Sequence, residues 1–177
     1  EHFYPWKTQW PQTDDIAKGW NQQQQLINGM LNKTNLLDML RTCALFMDTD
    51  AGPRVKVLCR YQQFRAANKI MTRLREGKSA EEKSGVVWHT QGSGKSLTMV
   101  FVARMLRFSR DLNDYKILLI NDRTDLEDQL AATATLIGGR VNTIESNKAL
   151  RQQLATDSSD INMVMVHKFQ LRDEVMP

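Results

Sequence analysis

The run Gly85-Val86-Val87-Trp88-His89-Thr90-Gln91-Gly92-Ser93-Gly94-Lys95-Ser96-Leu97-Thr98-Met99 carries residue types suited to holding phosphate. An apolar stretch that reads as a strand leads into a glycine turn, then Lys-Ser, then an apolar helical segment. Gly92 and Gly94 permit close backbone approach, so that successive N–H groups can point at phosphate oxygens. The helix that follows directs its positive end to the same place. Lys95 is spaced to reach the outer phosphates of a nucleotide as a point charge, and the Ser96 hydroxyl to take one position on an octahedral Mg²⁺. The expected nucleotide contacts in this loop are Gln91, Gly92, Ser93, Gly94, Lys95 and Ser96. The competing reading is a glycine turn that binds nothing, and the strand-loop-helix context weighs against it.

The full phosphate-loop pattern has a glycine six residues before the lysine, and His89 stands there instead. Other chemistry is sparse. Asp48-Thr49-Asp50 has the opening spacing of a calcium loop but lacks the later ligands, so it reads as a turn. Cys43 and Cys59 match neither a metal-ligand spacing nor a disulfide framework. Asp173-Glu174 has no apolar strand before it and reads as solvated surface.

The chain has 177 residues, 41% of them hydrophobic, which suits one ordinary core with a small appendage. Its 24 Lys and Arg against 20 Asp and Glu give a net charge of +4, which permits a polyanionic partner without requiring one. No stretch approaches a membrane span, and Glu1-His2-Phe3-Tyr4-Pro5-Trp6 lacks the order of a signal peptide. A cytoplasmic protein with no membrane partner is expected.

The elements that must position the loop can be read on both sides of it. Residues 1 to about 35 suggest an irregular start, followed by a helix whose apolar face, Leu26, Ile27, Met30 and Leu31, serves packing. Leu36 to Leu40 reads as a short helix. Cys43–Met47 and Val55–Cys59 read as the strands of a hairpin. Arg60 to Glu76 is a strong helix, with Phe64, Ala67, Ile70, Met71 and Leu74 on one face and Arg65, Lys69 and Arg73 stepping along another. Gln63 falls on the apolar side, where a buried amide needs a defined partner. The basic stripe reads first as a solvated face and second as a nucleic-acid contact.

Gly77 to Ser84 reads as a polar connector. The segment after the loop is apolar nearly all round and should be buried. Tyr115–Ile120 has the character of a strand covered on both faces, with the polar Asn121-Asp122-Arg123 at its carboxyl end, toward a ligand edge. Thr124 and Glu127 form a capping box that starts a helix, which Gly138-Gly139 can stop. Val141–Ile144, Asn147–Leu154 and Ile161–Val166 then read as strand, helix and strand. The alternation predicts an α/β fold with a parallel sheet flanked by helices.

Three strings occur in order: Arg60-Tyr61-Gln62-Gln63-Phe64-Arg65-Ala66, the loop from Trp88 to Met99, and Asp122-Arg123-Thr124-Asp125-Leu126-Glu127-Asp128-Gln129-Leu130. With Val166-His167-Lys168-Phe169-Gln170 and the opening Phe3-Tyr4-Pro5-Trp6-Lys7, they resemble the restriction (R) subunit of type I restriction-modification enzymes, a superfamily 2 helicase-like DNA translocase. The departure at His89 agrees with this, since such motors often lack that glycine.

The resemblance implies an incomplete RecA-like P-loop domain over residues 55–177, ending before the Asp-Glu box. A helical and hairpin linker over residues 1–54 would precede it, and the nuclease would lie upstream of Glu1. It implies ATP and Mg²⁺ as cofactors, Gln63 as a reader of the adenine edge, and Arg123 and Gln129 as DNA-binding residues. Duplex DNA and the methyltransferase (M) and specificity (S) subunits are the implied partners, with S-adenosylmethionine entering only through that complex. The parent would be an ATP-dependent translocase and nuclease, of which this fragment alone would be inactive. Two alternatives stay open: another superfamily 2 motor, and a non-catalytic nucleotide-binding or docking module whose interface is the aromatic N-terminus.

Overall fold

Asn21 accepts a hydrogen bond from the Gln24 N–H at 2.8 Å while Gln24 Oε1 accepts from the Asn21 N–H at 3.0 Å, and this reciprocal cap begins helix α1, Gln22–Gly29. Asn32 caps α2, Lys33–Thr42, in the simpler way, through the Thr34 N–H. The computed structural model describes Trp6 and residues 19–49, 52–122 and 141–166. Its residues group into two compact units, Glu1–Met105 and Leu106–Pro177.

In the first unit a hairpin follows α2. Strands β1, Ala44–Thr49, and β2, Gly52–Leu58, pair antiparallel from Ala44↔Leu58 to Thr49↔Gly52, with an irregularity between Met47 and Thr49. At its open end the Cys59 N–H donates to the Cys43 carbonyl at 3.1 Å, and both thiols are buried and free. Their mutual hydrogen bond, and then burial, push the Cys59 thiol up. Helix α3, Tyr61–Glu76, buries Gln63, Phe64, Ala67 and Met71, one stripe of its surface, as the sequence periodicity predicts. Trp6 wedges against the start of this helix, its ring 6.3 Å from Tyr61 and 5.8 Å from Phe64. The same indole lies where a Cβ at Gly29 would have to go, so the close of α1 requires glycine.

Three expectations need correction here. The apolar face of α1 is packed only in part: Leu26, Ile27 and Leu31 are 38%, 48% and 50% exposed, Met30 is half-buried, and only Gly29 is buried in that helix. Its sequence satisfies helix periodicity, but the face is covered only in part. The connector is also more ordered than its polarity suggests. Ser79 accepts from the Glu82 N–H at 3.2 Å and starts a short helix α4, Ala80–Lys83.

The stretch leading into the glycine loop does not form a strand. Residues 84–90 have no regular structure, with Val86 94% and Trp88 87% exposed. A strand needs a neighbour for its N–H and C=O groups, and none pairs with this segment among the described residues. After the loop, α5, Lys95–Phe108, buries Thr98, Val100, Phe101, Ala103 and Met105, in line with its apolar composition.

The second unit holds a parallel sheet. Strands β3, Ile117–Asn121, and β4, Val141–Ile144, both pair with β5, Ile161–Met165, in the order β3-β5-β4. β5 is buried at every position, which explains its unbroken apolar character apart from Asn162. Helix α6, Asn147–Ala155, is capped by Ser146 and packs Leu150 with Ile144 and Val164. Its carboxyl end is closed by Lys116, whose ammonium donates to the carbonyls of Gln153, Leu154 and Thr156 at 2.7, 3.0 and 2.6 Å. A cation there complements the negative helix terminus. The α/β class with a parallel sheet flanked by helices, expected of a partial RecA-like domain, is therefore the observed one. The expected helix from Thr124 and its stop at Gly138-Gly139 lie outside the described residues. No described helix is long and apolar enough to cross a membrane.

Candidate nucleotide site

The glycine loop lies between the unpaired segment and α5. A Thr90 carbonyl accepting from the Ser93 N–H at 3.3 Å closes its turn. Gly92 and Gly94 adopt φ of +76° and +79°, in the left-handed region where a side chain is strained. The two glycines differ in surroundings. A Cβ on Gly92 would meet nothing within 4 Å, whereas one on Gly94 would sit 2.6 Å from Gln63 Nε2.

Gly94 also closes the start of α5. Its carbonyl accepts from the Thr98 N–H at 3.1 Å and from Thr98 Oγ1 at 3.3 Å. The N–H groups of the first helical turn have no partner within the helix, so they are available to an anion in front of it. Lys95 and Ser96 begin that turn, Lys95 exposed and Ser96 half-buried. The Lys95 ammonium donates to the His89 carbonyl at 2.8 Å and the Thr90 carbonyl at 2.9 Å, folding back over its own loop. Gln91 and Gly92 are exposed, while Ser93 Oγ is buried and makes no hydrogen bond. A hydroxyl in that condition fits a site shaped for a further acceptor or donor.

Gln63 reaches the same loop. Its side-chain oxygen accepts from the Arg60 N–H at 2.8 Å and caps α3, while Nε2 donates to the Gly94 carbonyl at 2.9 Å and the Ser93 carbonyl at 3.3 Å. The buried amide thus has the defined partner that its place on the apolar face required. Sequence alone points to neither these loop carbonyls as partners of Gln63 nor the His89 and Thr90 carbonyls as partners of Lys95. Only the three-residue step from Arg60 to Gln63, the spacing of a capping box, hinted at part of the arrangement.

The structure therefore brings together Gln63 and residues 91–96 within one unit. Arg123 and Gln129 lie outside the described residues. Beside the loop, the basic side of α3 lines a groove of about 550 Å³ with Lys69 and Arg73, faced by Lys83, Trp88 and His89. The aromatic N-terminus supplies no free surface at Trp6, which is 5% exposed and packed on α3.

A turn with two left-handed glycines, followed by Lys-Ser at a helix start, has the order expected of a phosphate-binding loop, without the strand before it. In keeping with it, the profile of the SWI2/SNF2 ATPase family matches residues 62–177. The chain is 31% identical, over 98% of its length, to the type I restriction enzyme HindI endonuclease subunit of Haemophilus influenzae, and spans 17% of that relative. It is 27% identical, over 86% of its length, to the putative type I restriction enzyme MjaIXP endonuclease subunit of Methanocaldococcus jannaschii, spanning 15% of it. A shorter relative, the C-terminal part of the putative type I restriction enzyme MpnIIP endonuclease subunit of Mycoplasma pneumoniae, is 30% identical over 78% of the chain, which spans 68% of it. The chain belongs to the SWI2/SNF2 ATPase family and to the type I restriction enzyme endonuclease subunits.

Proposed function

We propose that the loop from Gln91 to Ser96 holds the triphosphate of ATP, and that this chain is part of the ATP-driven motor of a DNA-translocating and DNA-cleaving restriction subunit. The observation that carries this reading is the pair of left-handed glycines, Gly92 and Gly94, ahead of the exposed Lys95. The residues present fit the ligand. Lys95 has only carbonyls of its own loop to exchange for phosphate oxygens, the first turn of α5 offers free N–H groups, and the Ser93 hydroxyl has an unused hydrogen-bonding capacity.

In this role Lys95 neutralises the outer phosphates, Gln91 through Gly94 wrap them with backbone, and Ser96 supplies one oxygen to Mg²⁺. ATP supplies the phosphoryl bond whose hydrolysis drives the motor. The residues needed to position water and stabilise the transferring phosphoryl are an acidic pair and second-lobe arginines. The loop alone provides binding rather than this chemistry, and we propose that the fragment by itself binds nucleotide weakly without efficient turnover. Arg123 and Gln129 are proposed DNA contacts, the former adding salt-dependent affinity through a phosphate. The proposed cytoplasmic complex includes duplex DNA and the methyltransferase and specificity subunits, with S-adenosylmethionine serving through those partners.

The test is Lys95→Ala in the full-length parent, read as DNA-stimulated ATP hydrolysis. A loss of at least about a hundredfold is expected from removing a charge that faces the transferring group. Unchanged hydrolysis would overturn the assignment of this loop.

A further inference from the structure

We propose that Gln63 is a positioning residue for the phosphate loop, gripping its backbone and so supporting the binding of any triphosphate irrespective of its base. The proposal rests on the nucleotide reading above and goes beyond it, because it gives Gln63 a task toward the protein rather than toward the adenine.

A glutamine amide offers one oxygen and two N–H donors. In Gln63, only 3% exposed, Oε1 uses one of its two lone pairs on the Arg60 N–H, and both donors of Nε2 are taken by the carbonyls of Ser93 and Gly94. The orientation of the amide follows from its partners. Reversed, it would set an N–H against the Arg60 N–H and an oxygen against two carbonyls. No donor is left for a base while the loop is held in this way.

The contact is also close and directional. The absent side chain of Gly94 leaves the space that Nε2 fills, since a Cβ there would lie 2.6 Å from it. Gly92 has the same left-handed backbone with nothing near it, so the grip is specific to the residue that ends the loop and begins α5. The Gly94 carbonyl simultaneously receives the Thr98 N–H and hydroxyl. Gln63 therefore fixes both the turn and the direction in which the first N–H groups of α5 point. Its own position is set by the first turn of α3, braced by Trp6 against Tyr61 and Phe64. A loop preorganised in this way does not have to be ordered by its ligand, which is a gain in affinity common to every ligand that uses its phosphates.

The experiment compares the whole chain with Gln63→Met, which keeps the volume and removes the donors, and Gln63→Glu, which keeps the acceptor for the Arg60 N–H. Hydrogen exchange of the 89–96 segment is measured without ligand, and affinity is measured for Mg-ATP, Mg-GTP and magnesium tripolyphosphate. Faster exchange in the loop, with a similar loss of about tenfold for all three ligands, is expected from the removal of a charge-free hydrogen-bonded grip. Unchanged loop exchange, or a loss confined to ATP, would overturn the proposal. If the unaltered chain binds none of the three while the variants still loosen the loop, the grip stands and the nucleotide reading falls.

Discussion

Residues 85–88 and residues 89–96 are neighbours in sequence and opposites in structure. The first stretch is the more strand-like by composition, yet it stands exposed and without regular structure, with Val86 94% and Trp88 87% accessible. The second turns on two glycines before α5 begins, yet its carbonyls at His89, Thr90, Ser93 and Gly94 all accept hydrogen bonds. The difference lies in where the partners come from. A strand depends on a second strand, whereas the loop draws its bonds from its own lysine, from Thr98 and from Gln63. The shape of the loop is thus set by side chains within one unit, whether or not the residues before it are paired.

Substitutions can sharpen this contrast. Gly94→Ala combines a left-handed backbone, about 1–2 kcal/mol of strain, with displacement of the Gln63 amide, so a destabilisation on the order of 2–3 kcal/mol is expected in urea unfolding. Gly92→Ala carries the strain alone and should stop at about 1–2 kcal/mol, because nothing lies near its Cβ. Equal effects at the two glycines would break the claim that one of them is gripped. At the small end, Trp88→Ser is expected to shift stability by less than about 0.5 kcal/mol, as for an exposed side chain. A large loss in the same unfolding assay would mean that the segment before the loop contributes to the fold after all.

How much could be read from sequence follows the range of the interactions involved. Helix α3 and strands β4 and β5 stand where periodicity and apolar runs put them, because each is decided by which face of its own segment is covered. The glycine loop was legible for a similar reason, its spacing being local. The failure at Gly85–Trp88 and the partly covered face of α1 share a cause: both patterns show what a segment would bury, and neither shows that a partner exists. The Gln63 grip joins residues 30 and 31 positions apart, and no local pattern reports on such a contact. Arg123 and Gln129 rest on family resemblance alone, since they lie outside the described residues.

The central claim, that this loop is a nucleotide site, is tested most directly by calorimetric titration of the whole chain with Mg-ATP, beside Lys95→Ala. Binding by the unaltered chain that weakens at least about tenfold in Lys95→Ala is the predicted result. Equal affinity in the two proteins would contradict it, placing any bound nucleotide somewhere other than the loop from Gln91 to Ser96.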